Sequence, residues 1–237
     1  MNPVLLLVRD NFEMNKRCID SIFAQDVPTT LVIIDNSECD DTFKWATENR
    51  IAVYPFRPQI GVSRGWNLGL SGLFRDGYEH VLVPNSDTVM PPSFYRRLLA
   101  YNVPFVSGRE TTSLVDIEAS LSGELGGGPQ FSAFLIRKSA WDAIGPFDAD
   151  MDTWASDCDY HVRAHRKGIL LQSAPVLYYH ERSSTLRLAD SKARRIMELQ
   201  ADADRMVFTE KWGVPVWSPE YVTLFSDSTF GVDRDTI

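Results

Sequence analysis

The 237-residue sequence is short of cysteine, of basic surplus and of long apolar runs. Cys18, Cys39 and Cys158 are odd in number and share no CxxC spacing, so neither a disulfide framework nor a structural zinc site is expected. A formal net charge of −8 argues against a broad phosphate-binding surface, although a local basic groove stays open. No apolar run approaches the roughly 20 residues that cross a bilayer. The opening MNPVLLLVRDNF is short and carries no basic leader. Together with reduced cysteines, this gives a cytoplasmic expectation. Three signatures are also missing: GxGxxG, GxxxxGK[ST] and GxSxG. Dinucleotide dehydrogenases, P-loop NTPases and elbow-type hydrolases are poor fits.

What is present alternates. Hydrophobic residues make up 44% and charged residues 24%, a composition that suits one large soluble α/β domain. Apolar runs at 3–9, 29–37, 51–57 and 80–83 read as strands. Between them lie helical stretches at 13–25, at 40–49 and after Gly61. This order predicts an α/β fold with a mostly parallel sheet flanked by helices. Further on, the pattern predicts a helix over 93–101 and a strand near 104–107. A loop over 110–129 then reads as mobile or inserted. FSAFLIRKSAWDAIG gives a strand and a helix, SDCDYHVRAHRKG a helix stopping at Gly168, and ILLQSAPVLYYH one or two short strands. Residues 1–188 form the expected domain. A long charged helix from 189 to 212 and a tail to 237, without clear period, form a C-terminal extension packed on it.

The stretch HVLVPNSDTV (80–89) begins as a buried strand, and Pro84 is expected to stop the ladder before a small polar cluster, Asn85-Ser86-Asp87. Asp35 closes the second strand in the same way. Ligands in open parallel sheets sit beyond the carboxyl ends of the strands, so both clusters are candidates to face one crevice. Turn and helix-cap roles are the alternative for each.

Six segments in order carry a resemblance: LVIIDNS, IGVSRGWNLGL, VLVPNSDTVMPP, GGGPQFSAFLIRKSAWDAIGPFD, SDCDYHVRAHRKG and LYYHERSST. Together they resemble the GT-A fold glycosyltransferases of family 2, in particular the rhamnosyltransferase-like branch, over residues 3 to about 185. EKWG (210–213) is a weaker echo. The resemblance implies that Asp35 meets the base or ribose of a nucleotide-sugar. Gly61, Arg64 and Asn67 fall in a donor-binding segment, with the small Gly61 letting backbone approach the ligand. Asn85-Ser86-Asp87 takes the place of a DxD motif: Asp87 as metal-binding carboxylate, Asn85 and Ser86 beside the donor. His180 matches a late metal-binding histidine, with Mn²⁺ or Mg²⁺ as the cofactor. Asp157 falls on the general-base position of an E-D-x-D helix in which Ser156 replaces the usual Glu. Asp159 holds a loop or contacts the acceptor, and Gly126, Gly127 and Gly128 fit a glycine loop near the donor sugar.

The implied reaction is inverting transfer from a UDP- or dTDP-sugar to a hydroxyl on a glycan, a protein, a lipid-linked sugar or a modified DNA base. Two other classes stay in view: a non-catalytic nucleotide-sugar or glycan-binding module, and a nucleotidyltransferase. The second lacks its GxGTR-like amino-terminal loop. His161 and His165 are spaced i, i+4, but without the Glu of HExxH and among Arg163, Arg166 and Lys167 they read as a solvated helix face. Trp141 and Phe147 read as packing residues.

Overall fold

The computed structural model describes residues 1–118, 124–126, 128–182 and 190–225. Gly127, residues 183–185 of the last motif and the tail beyond 225 lie outside the described residues. The chain runs β1 (Asn2–Val8), α1 (Phe12–Phe23), β2 (Thr29–Asp35), α2 (Asp41–Glu48), β3 (Ala52–Pro55), α3 (Val62–Arg75) and β4 (His80–Pro84). It continues through β5 (Thr88–Val89), α4 (Phe94–Leu99), β6 (Phe105–Thr111), β7 (Ala133–Arg137), α5 (Lys138–Ile144), α6 (Ser156–Arg166) and β8 (Gln172–His180). A final long helix, α7 (Ser191–Trp212), and a 3-10 helix, Pro219–Phe225, follow.

One eight-stranded sheet has the order β3-β2-β1-β4-β7-β6-β8-β5. Strands β3, β2, β1 and β4 are parallel, as are β6 and β8, whereas the β4–β7, β7–β6 and β8–β5 pairs are antiparallel. The mostly parallel expectation therefore holds: β3, β2, β1, β4, β6 and β8 run the same way, and only β7 and β5 oppose them. Pro84 does not stop the ladder. It stays in register with Ala133, because proline lacks only the N–H, and Asn85 N–H continues to the carbonyl of Ser132. Strand β6 runs on to Thr111 and takes in the start of the supposed loop.

Two cores cover the faces. Val4, Leu6 and Val8 of β1 pack with α1, α2 and α4, while Leu5 and Leu7 face α3 and its neighbours. Helix α3 approaches closely because it is glycine-faced. A Cβ on Gly65 would lie 2.6 Å from Leu7, and one on Gly69 would lie 2.2 Å from Leu5. A third cluster joins α6 to α7 and the tail through Met151, Ala155, Val162, Phe208, Val216 and Leu224. The tail thus packs as an arm up to Phe225. It covers His161 and His165, whose rings lie 4.6 and 5.4 Å from that of Phe225. These histidines are not a solvated face; burial, with His165 nearby, lowers the His161 pKa to about 4. Phe147 stacks on Tyr160 at 4.3 Å and Trp141 lies against Phe74, both as packing residues.

Candidate active site at the carboxyl ends of the strands

The antiparallel pairing of β5 with β8 sets Thr88 opposite His180 and brings Asp87, just before β5, to the end of β8. His180 Nε2 lies 3.3 Å from Asp87 Oδ1, and the backbone N–H of Glu181 donates to the Asp87 carbonyl. On the other side of the ring, Nδ1 meets Glu110 Oε2 at 2.5 Å, and Arg182 pairs with the other oxygen of Glu110. Burial alone would lower the His180 pKa; the Asp87 and Glu110 carboxylates outweigh it and raise it. Among the described residues no three His, Cys, Asp or Glu side chains form a ready-made metal cage. The pair nevertheless suits a divalent cation whose shell is completed by phosphate oxygens. With a cation bound, a neutral His180 donating Nδ1–H to Glu110 would leave its Nε2 lone pair for a metal shared with Asp87. Glu110 was not legible as a site residue: it lies 70 residues before His180, in a stretch with the composition of a loop.

Asn85 continues β4 past Pro84, bridging Leu7 of β1. Its carbonyl accepts from Thr88 Oγ1 and from the thiol of Cys18, so its backbone is spent on the turn. Ser86 lies half-buried between Asn85 and Asp87.

Asp35 is fully buried. Its Oδ1 accepts from the N–H of Ser37, and its Oδ2 pairs with Arg57 at 3.0 Å. Arg57 also donates to the carbonyls of Asp35 and Cys39. The expected direct contact with a base therefore meets a carboxylate already held by an arginine that sequence reading missed. A lone arginine just past a short edge strand carries no sign of such a pair.

At α3 the close approach at Gly61 is made by protein. Its φ of +76° belongs to glycine, and a Cβ there would lie 1.9 Å from Asp152 Oδ1. The Asp152 carbonyl accepts from the N–H groups of Val62 and Ser63, and its carboxylate pairs with Arg64 at 2.8 Å. Burial raises the Asp152 pKa; Arg64 opposes this and Asp204 adds to it. Asn67 uses both ends of its amide on the backbone of Phe147, at 2.7 and 2.8 Å. It is a strut between α3 and the segment before α6.

Asp157 sits in the first turn of α6, after Ala155 in left-handed conformation. Its Oδ1 accepts from the N–H of Cys158 at 2.8 Å, a bond within the turn. Burial pushes its pKa up, and the Cys158 N–H only partly pulls it back. That combination suits a base, since a carboxylate with a raised pKa holds a proton better near neutral pH. Ser156, where the resemblance expects Glu, is buried. Asp159 has its carboxylate held inside the protein. It is fully buried, with Arg163 on one oxygen and Trp212 Nε1 and Lys211 on the other, so the EKWG echo is its binding partner. Gly126 exchanges two backbone hydrogen bonds with Ser173 beside β8, and Gly128 has φ +78° with open space where a Cβ would go.

No family model matches the sequence, and no curated protein matches it. Solved structures do match. The chain is similar to the crystal structure of S. aureus TarS 1-349, with TM-score 0.61 at 14% identity over 97% of this chain and 74% of that one. The fold is GT-A. A second neighbour is GalNAc-T7 with UDP, GalNAc and Mn²⁺, at TM-score 0.60 and 10% identity over 93% of this chain and 52% of that one. A third is glucosyl-3-phosphoglycerate synthase from Mycobacterium tuberculosis in complex with Mn²⁺, UDP and glucosyl-3-phosphoglycerate. It gives TM-score 0.59 and 14% identity over 91% and 81% of the two chains. In this GT-A chain no helix among the described residues is long and apolar enough to cross a membrane.

Proposed function

We propose that this protein is an inverting, metal-dependent glycosyltransferase that moves a sugar from a UDP- or dTDP-sugar to a hydroxyl acceptor. The observation that carries the reading is the meeting of Asp87 and His180, 93 residues apart in sequence, at the end of the sheet beyond β4. The bound UDP and Mn²⁺ of two fold neighbours support a pyrimidine donor and a divalent cation. Asp87 and His180 would hold Mn²⁺ or Mg²⁺, and Glu110 would orient the imidazole. A bound cation supplies neutralisation of the charge that grows on the leaving nucleoside diphosphate. Asp157 takes the proton of the acceptor hydroxyl. The acceptor oxygen then bonds to the anomeric carbon as the bond to the diphosphate oxygen breaks on the opposite face, which inverts the configuration. Arg64 and the 85–87 turn line the donor side, and the wall built by Asp35 with Arg57 closes the nucleotide end.

Thermal shift against UDP-, dTDP-, GDP- and ADP-sugars, with Mn²⁺ and with excess EDTA, tests the reading. Ligand that binds only the folded protein raises the midpoint with concentration. The expected result is a rise with a UDP- or dTDP-sugar in Mn²⁺ that EDTA removes, followed by sugar transfer in the same conditions. Binding of purine donors alone would remove the pyrimidine assignment at Asp35, and full turnover in EDTA would reassign the NSD turn to a structural role.

A further inference from the structure

Arg9 stands directly after β1, in the middle of the parallel half of the sheet. On one side Val8 is in register with Asp35 of β2, and on the other Leu7 bridges Asn85 of β4. The alternation that turns Leu5 and Leu7 toward α3 carries on to Arg9. Among the described residues Arg9 has no hydrogen-bond, ion-pair or ring partner, although it is half-buried. Other cations without partners, such as Lys44, Arg50 and Arg75, are exposed and solvated. The acids placed beside it are spoken for: Asp35 by Arg57, and Asp10 by the N–H groups of Glu38 and Cys39. The backbone that presents Arg9 is fixed. Asp10 and Asn11 both take positive φ, 39° and 47°, and Asp10 N–H donates to Ser37 Oγ. A conformation of that kind persists where its surroundings hold it, and it clusters at functional sites.

A half-buried guanidinium loses hydration and gains no internal partner, which favours an anion from outside. We propose that Arg9 is a donor-binding residue that contacts the diphosphate of the nucleotide-sugar, between the Asp35 and Asp87 ends of the crevice. The inference rests on the glycosyltransferase reading above. A planar fork with several donors matches phosphate oxygens, whereas a uridine base and ribose offer no negative charge.

Calorimetry in Mn²⁺ with UDP, dTDP, inorganic pyrophosphate and uridine separates the two ideas. Arg9→Gln should weaken UDP and pyrophosphate by about 10- to 100-fold and leave uridine unchanged, as expected for a lost charge-assisted bond. Arg9→Lys should recover part of the loss, because it restores the charge without the fork. The melting midpoint of both variants should stay near that of the wild type, since among the described residues Arg9 holds no hydrogen-bond or ion-pair partner. A wild type that binds UDP and pyrophosphate, with Arg9→Gln binding both equally well, overturns the role of Arg9 alone. An equal loss for uridine also overturns it, by showing a general disturbance of the site. A wild type that binds none of UDP, dTDP and pyrophosphate overturns the glycosyltransferase reading and the role of Arg9 with it.

Discussion

Asp157 stands between two opposing influences. The N-terminal turn of α6 favours a negative charge by about 0.3–1 kcal/mol, and the Cys158 N–H adds to this. Burial works against the charge and wins, because the pKa is raised. The sign for stability follows. A carboxylate whose folded pKa lies above its unfolded value holds more protons in the folded chain, so stability falls as pH rises through that window. Asp157→Asn should therefore melt at or slightly above the wild-type midpoint at pH 7. Its kcat should fall by about 100- to 10,000-fold, the usual contribution of a general base. UDP affinity should hardly change, since the proposed donor residues Asp35 and Asp87 are left intact. In the wild type, the acid limb of the kcat profile should lie above the ordinary aspartate range near 3.9, and the variant should lack it. A variant that melts lower and transfers sugar normally would make Asp157 a structural group of its helix, leaving the base to be found elsewhere.

At the level of elements, the start of α3 shows why a glycine stands at 61. Its backbone lies near φ +76°, ψ 170°, a region that costs other residues about 1–3 kcal/mol, and Asp152 fills the space a side chain needs. Gly61→Ala should lower the urea midpoint by at least that backbone cost and detach Arg64 from Asp152. A melt identical to wild type would show that α3 shifts freely and that Asp152 does not impose the glycine. The strands and helices of the first half were legible because their apolar runs are separated by turn residues, and each long element was placed within a few residues. The direction of β7 was not legible. An apolar strand buried on both faces has the same composition whether it runs up or down the sheet. The same limit applied to the site. The candidates Asp87, His180 and Asp157 stand out by residue type and position beside strands or a helix start. Arg57, Glu110 and Asp204 act through partners 22, 70 and about 50 residues away, and in sequence each looks like ordinary surface charge. The fate of Asp159 was hidden for the same reason, since Trp212 lies 53 residues on.

The whole molecule depends on its last helix more than an extension suggests. Asp204 of α7 is fully buried, and its carboxylate accepts from the N–H groups of Asp152, Thr153 and Trp154 and from Gln200. That segment caps α3 through the Asp152 carbonyl and leads through Ala155 into α6, which carries Asp157. Further along α7, Lys211 and Trp212 hold Asp159, and Phe208 closes the apolar cluster around Met151 and Val162. One helix thus fixes the beginning of another at two polar points and one apolar one. Asp204→Ala removes an anion from three backbone donors and leaves them buried, a cost on the order of 3 kcal/mol. The expected outcome is a lower midpoint, together with faster hydrogen exchange at the amides of 152–154 and in the first turn of α6. Exchange in β1, β2 and β4 should stay slow under native conditions, because their core does not touch α7. Sugar transfer should fall more than UDP affinity, since the variant loosens the base while the donor side keeps its strands. Uniformly faster exchange over the whole sheet would show that α7 supports global stability only, and would remove its separate hold on the helix that carries Asp157.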